Sequence, residues 1–274
     1  MRVFISCDIE GIGCVTRPEH STIDGREYLQ SRRLMTGEVN AAVKAAFDAG
    51  AERVLVADSH NVGLNLLPEE LDQRAELIMG SPRPLSMMEG VQQGFEAAFF
   101  IGYHGRPGSL NAVIAHNFHS RLMEMTINGR QMGELGLNAA LAGLYGVPVA
   151  LVTGDAATAA EAEDLLPWAE KVAVKDGVGA YAAQCFSPTV CRSRIYEAAW
   201  KALHSLDSMQ NFTIGEPVTL ELKTTTASGA DQLQRIPLLN RLAPTELKSE
   251  PVDLKTALDI FLVSADLVNL VPFI

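Results

Sequence analysis

Short apolar runs rich in β-branched and aromatic residues recur along the chain, and each of the first three ends in a polar group. Arg2-Val3-Phe4-Ile5-Ser6-Cys7 leads into Asp8 and Glu10, Arg53-Val54-Leu55-Val56-Ala57 into Asp58-Ser59-His60, and Ala97-Ala98-Phe99-Phe100-Ile101 into Gly102-Tyr103-His104. Runs of this length and composition read as buried strands. Between the first two, residues 28 to 49 have helical composition: Ala41, Ala42, Ala45, Ala46 and Phe47 form an apolar stripe, and Gly50 is a C-terminal stop. A strand, a helix and a second strand make a β-α-β unit, which predicts an α/β fold with a mostly parallel central sheet flanked by helices. In open sheets of this kind ligands gather outside the carboxyl ends of the strands, where all three polar groups fall.

The remaining segments extend the pattern. Pro68 to Asp72 reads as a short helix and Ala75 to Met79 as a strand. Val113-Ile114-Ala115-His116 extends the apolar pattern, and Leu122 to Ile127 alternates up to Asn128-Gly129, a hairpin turn signal. Gly133 to Gly143 is a small-residue helix with Glu134 in its first turn; a strand from Val149 to Thr153, a helix ended by Pro167, a strand over Lys171–Lys175 and a helix over 187–206 follow. From Gly215 the character changes, because Val218 to Lys223 alternates as a half-exposed strand does, and an amphipathic helix closes the chain over 253–267. The expected organisation is an α/β metal-binding catalytic domain over 1–210 and a smaller α+β part over 211–274 with a role in assembly.

Composition narrows the function. The formal charge of −11 argues against nucleic acid or an anionic membrane surface as the partner, since phosphate binding needs clustered Lys and Arg. No apolar run approaches the roughly 20 residues of a membrane span, Asp8 and Glu10 interrupt any signal-peptide core, and the four cysteines show no CxxC pairing, so a cytoplasmic protein is expected. Gly11-x-Gly13 follows a strand, but Thr16 stands where a dinucleotide fingerprint needs its third glycine, and Glu10 would meet the phosphates. No Gly-x-Ser-x-Gly elbow or Gly-Lys-Ser/Thr loop is present, and Cys7 lies inside a strand as a small core residue. A metal site remains. With extended backbone through Ile9, Asp8 and Glu10 project to one side, and two carboxylates so placed repel unless cations neutralise them. Together with His60 and His104 they form a mixed carboxylate and imidazole set suited to zinc, manganese or iron.

The blocks Ser6-Cys7-Asp8-Ile9-Glu10-Gly11, Asp58-Ser59-His60, Ser86-Met87-Met88-Glu89-Gly90, Gly102-Tyr103-His104 and Gly133-Glu134-Leu135-Gly136-Leu137-Asn138 resemble the successive motifs of the DppA-type D-aminopeptidases, which are zinc metallopeptidases. The resemblance covers nearly the whole chain and is densest up to about Lys175. It implies two zinc ions held by Asp8, Glu10, His60, His104 and Glu134, a catalytic His116 in Ala115-His116-Asn117, and a ring-like homodecamer whose sites face an internal channel. It also implies short peptides with an N-terminal D-amino acid, D-alanyl peptides above all, as substrates. The chain departs from the family pattern at His116-Asn117-Phe118-His119 and Gly154-Asp155-Ala156, which bears on substrate preference.

Three roles are open to His116: nucleophile, proton shuttle to the leaving amine, or hydrogen-bond donor to the developing oxyanion. Asp8 is expected to bridge the two ions and Glu10 to bind one. His20, His119 and His204 read as surface or structural residues. Two rival functions use the same ligands. A metal-dependent phosphoesterase or amidase would need cations near the metals, where the sequence offers Arg106 and Arg121; a catalytically silent, metal-stabilised peptide-binding oligomer would need none.

Overall fold

The computed structural model describes residues 1–270. In chain order its strands are β1 (Arg2–Cys7), β2 (Arg53–Asp58), β3 (Glu76–Ile78), β4 (Ala97–Tyr103), β5 (Leu122–Ile127), β6 (Arg130–Met132), β7 (Val149–Asp155), β8 (Glu170–Gly179), β9 (Ala182–Cys185), β10 (Leu220–Thr224), β11 (Leu239–Ala243) and β12 (Glu246–Ser249). Its helices are α1 (Pro18–Ser21), α2 (Tyr28–Asp48), α3 (Glu134–Leu144), α4 (Ala156–Leu165), α5 (Pro188–Leu203), α6 (Ala227–Leu233) and α7 (Leu254–Asn269).

Seven strands form one sheet in the order β3-β2-β1-β4-β7-β8-β9, parallel throughout except for β9, which runs antiparallel to β8. The strand at its centre explains itself. Val3, Ile5 and Cys7 enter a core shared with Val39 and Val43 of α2 and Ile195 and Ala199 of α5, while Phe4 enters the opposite core with Leu135 of α3 and Phe261 of α7. A strand covered on both faces must be apolar at nearly every position, as β1 is. The mostly parallel sheet flanked by helices is therefore as the sequence predicts.

Chain order sets where the site falls. The chain leaves β1 for β2 and β3 on one side and returns to the other side of β1 with β4. The β1/β4 boundary is thus a topological switch point, where the loops after the two strands part and leave a crevice. Two glycines let those loops approach closely. A Cβ on Gly11 would lie 1.8 Å from the Tyr103 carbonyl oxygen, and Gly102, at φ +72°, would place one 2.3 Å from the Asp8 carbonyl oxygen.

A second sheet, in the order β11-β12-β10-β5-β6, is antiparallel and includes the expected Asn128-Gly129 hairpin. It takes β5 and β6 from before residue 210 and the other three strands from after it, so no sheet edge coincides with that position. Two segments differ from expectation. Residues 68 to 72 form a single turn instead of a helix, because the Asn40 side chain takes both the Glu70 carbonyl (2.7 Å) and the Asp72 N–H (2.8 Å) and ends it. Val113–His116 is loop, with Ile114 at φ +55°, a left-handed conformation that costs a β-branched residue energy and marks a constrained segment.

Candidate metal centre

Asp8 follows β1, His60 follows β2, His104 follows β4 and Glu134 opens α3, and the fold brings all four together with Glu10. His60 Nδ1 lies 3.2 Å from Asp8 Oδ1 and 2.9 Å from Glu10 Oε2. His104 Nε2 lies 3.6 Å from Asp8 Oδ2 and 3.4 Å from Glu134 Oε1. Donor atoms of Asp8, Glu10 and His104 fall within 4.8 Å of one another, as do those of His104, His116 and Glu134, so His104 belongs to two overlapping triads. His116 stacks on His104 with ring centroids 4.3 Å apart and planes 10° from parallel.

Each imidazole is oriented in the same way. His60 Nε2 donates to the Ser21 carbonyl (2.8 Å), His104 Nδ1 to the Gly105 carbonyl (3.2 Å) and His116 Nδ1 to the Ile114 carbonyl (2.8 Å). A carbonyl only accepts, so the nitrogen facing it carries a proton, and the other nitrogen is the one that can offer a lone pair to a metal once it sheds its own proton. For His60 and His104 that second nitrogen points into the carboxylates, the arrangement by which metal-binding histidines are held. Glu10 Oε2 and His104 Nε2 are buried without a hydrogen-bond partner. Buried carboxylates, imidazole nitrogens aimed at them and two orphaned atoms fit a divalent cation.

The electrostatics point the same way. Burial, then the charge of Glu10, pushes Asp8 up to about 7. Burial would raise Glu10 too, but His60 outweighs it and holds that carboxyl well below its ordinary range. Burial opposes charge on His104, yet Glu134, Asp8 and Glu10 lift it to about 10. Protons thus gather where the negative potential is deepest, and a divalent cation competes for the same sites. Because the folded values of His104 and Asp8 lie above the ordinary 6.5 and 3.8, their protonation favours the metal-free fold fully below those ordinary values, and that contribution is lost as pH rises through about 10 and about 7. Zinc binding has the opposite slope, since its ligands must shed those protons. The thermal shift produced by zinc is therefore expected to be larger at about pH 8.5 than at about pH 6; an equal or smaller shift at the higher pH would contradict this.

The motif residues between these side chains hold the strand ends together. Ser6 Oγ lies 2.9 Å from Ser59 Oγ and 2.8 Å from the Tyr103 hydroxyl, both serines donate to the Met87 carbonyl at 3.0 Å, and Asn138 reaches the Tyr103 hydroxyl at 3.1 Å. Asp58 accepts from Asn65 N (2.6 Å), Leu66 N (2.7 Å) and Asn65 Nδ2 (2.7 Å), so it shapes the loop that carries His60 and has little capacity left for a metal. Lys175, from β8, is fully buried and donates to the carbonyls of Glu10, Ile12 (3.0 Å) and Val15. Nothing in its sequence neighbourhood marks that role.

A cavity of about 670 Å³ opens on the cluster, lined by Asp8, His60, His116 and Glu134 and also by Arg83 and by His119. His119, read from the sequence as a surface or structural residue, is half-buried and donates from Nε2 to Asn269 Oδ1 at 3.2 Å. Leu262, Ala265 and Asp266 of α7 complete part of the wall, so the C-terminal helix contributes to the site. A second cavity of about 520 Å³, between β8 and α5, contains none of the six residues expected in the site.

A family model described as D-aminopeptidase matches residues 1–263. A curated D-aminopeptidase of Bacillus subtilis (strain 168) is 34% identical over 270 residues, 97% of each chain. Among solved structures, the Zn-dependent D-aminopeptidase DppA from Bacillus subtilis, described as a self-compartmentalizing protease, matches with a TM-score of 0.97 at 33% identity, covering 100% of both chains.

Proposed function

The chain belongs to the D-aminopeptidase family, and from that premise we propose that it is a zinc-dependent hydrolase that removes a D-amino acid, D-alanine foremost, from the free N-terminus of short peptides. The observation that carries the reading is the shared posture of the three imidazoles, each tied by one N–H to a backbone carbonyl, with the other nitrogen of His60 and of His104 aimed at buried carboxylates.

Asp8, Glu10, His60, His104 and Glu134 hold two zinc ions in this reading, which the division of the cluster supports: His60 lies against Asp8 and Glu10, and His104 against Asp8 and Glu134. Zinc supplies a Lewis acid for the scissile carbonyl and lowers the pKa of a bound water to near neutrality. His116 handles the proton. Its Nδ1–H is committed to Ile114, so Nε2 is the base. Burial, then the neighbouring charge of His104, holds its pKa below the ordinary imidazole value, so the ring is neutral at rest and gives up a captured proton readily to the leaving amine.

The two cations named for the rival enzyme reading are not at the site. Arg106 is paired with Glu161 at 3.5 Å, Arg121 donates to the Val268 carbonyl at 2.7 Å, and neither lines the cavity. The description of the solved relative as self-compartmentalizing supports a homo-oligomer, in the proposal a ring-like decamer with the sites facing inward. No described helix is long and apolar enough to cross a membrane. A cytoplasmic setting is part of the proposal and rests on the four free cysteines.

Metal analysis followed by assay on D-alanyl and L-alanyl p-nitroanilides tests the whole reading. Two zincs per chain and a preference for the D-anilide of about tenfold or more are expected. Equal turnover of both anilides would remove the D-specificity, two zincs without turnover would favour the binding oligomer, and turnover of a phosphoester alone would favour the phosphoesterase.

A further inference from the structure

We propose that Arg83 binds the C-terminal carboxylate of the substrate and thereby restricts the site to di- and tripeptides. The inference rests on the aminopeptidase reading and adds the far end of the substrate to it.

Arg83 shares the cavity with Asp8, His60, His116 and Glu134, and among the described residues it is the one Arg or Lys that lines it. Its donors are largely unused. Nη2 donates to the Asp58 carbonyl at 2.7 Å, whereas Nε and Nη1 are buried without a partner. The Asp58 carboxylate is already engaged by Asn65 and Leu66, and among the described residues no carboxylate lies within ion-pair distance of Arg83. A half-buried guanidinium in this state is costly, and the group that best satisfies it is a carboxylate.

The spacing fits a short peptide. The Asp58 carbonyl that anchors Arg83 is two residues from His60, so their Cα atoms are at most about 7 Å apart. Each further substrate residue adds about 3.5 Å, so in the proposal the carboxylate of a di- or tripeptide is the one that meets the guanidinium, and that of a longer peptide overshoots it. The cavity is then dipolar along the substrate, with carboxylates at the end that meets the free amine and one cation at the end that meets the free acid. A zwitterionic short peptide has the matching charge pattern.

The test compares D-alanyl-D-alanine with its C-terminal amide on the zinc-loaded enzyme. The unmutated protein is expected to favour the acid by on the order of ten- to a hundredfold in kcat/KM, expressed mainly in KM, as loss of a charge-assisted hydrogen bond would predict. In Arg83→Gln the acid-to-amide ratio should fall toward one; any general loss of activity cancels in that ratio. A ratio near one in the unmutated enzyme, or an unchanged ratio in Arg83→Gln, overturns the assignment. If Arg83→Gln does not fold, a length series on the unmutated enzyme decides, with kcat/KM falling beyond the tripeptide as expected and a flat series overturning the proposal. Hydrolysis of D-alanyl p-nitroanilide without any acid preference sinks the role of Arg83 alone, whereas no turnover of acid, amide or anilide sinks the aminopeptidase reading and the proposal with it.

Discussion

Asp8→Ala is expected to strip both zinc ions from the protein and to lower kcat/KM by at least about four orders of magnitude, whereas His116→Ala should keep its zinc and lose on the order of 10²–10⁴ in kcat. The contrast follows from position. Asp8 is the carboxylate that faces both His60 and His104, with Oδ1 toward His60 Nδ1 at 3.2 Å and Oδ2 toward His104 Nε2 at 3.6 Å, so its two oxygens serve the two halves of the cluster. Glu10 faces His60 through Oε2 alone, and Glu10→Ala should weaken one zinc before the other. Metal content measured by plasma emission during stepwise chelation separates these cases. Equal and simultaneous loss of both ions from the Glu10 variant would refute the division of labour. If His116→Ala kept kcat within a few-fold, neither the nucleophile nor the proton shuttle could be His116.

Much of this site was legible before any fold was known, and the reason is physical. Parallel strands buried on both faces leave a continuous apolar run, so the first polar residue after each run marks a strand end, and strand ends are where an open sheet binds ligands. Asp8, Glu10, His60 and His104 could be located by that logic alone. Glu134 and His116 could not. One opens a helix packed against the sheet and the other sits in a constrained loop whose apolar residues resemble an extension of the strand pattern, so both entered through family resemblance. Arg83 and Lys175 carry no local signal at all: one is fixed by the carbonyl of Asp58, the other reaches backbone 160 to 165 positions earlier in the chain. The antiparallel sheet was visible as a hairpin and as an alternating strand, but its pairing of β5 with β10 joins segments almost a hundred residues apart, and alternation gives no partner.

Lys175→Met is expected to destabilise the fold by about 3–5 kcal/mol and to lower the melting temperature by on the order of 10 °C, although Lys175 does not line the cavity that opens on the cluster. Its ammonium is fully buried, and its three protons go to the carbonyls of Glu10, Ile12 and Val15, which together define the turn after β1. Burial pulls its pKa below the ordinary lysine value, and Asp155 and Glu38 oppose that pull, so the charge is compensated through space instead of by one paired carboxylate. Glu38 in turn accepts from Gly13 N at 2.9 Å, which ties the same turn to α2. Methionine fills the volume but donates nothing, leaving three buried carbonyls without their partner and the two acids without their cation. Since Glu10 lies on that turn, zinc affinity should fall along with stability, and the ion bound through Glu10 should be lost first on chelation. A variant that melts within about 2 °C of the parent and retains both ions under the same chelator would show that the turn holds its shape without Lys175.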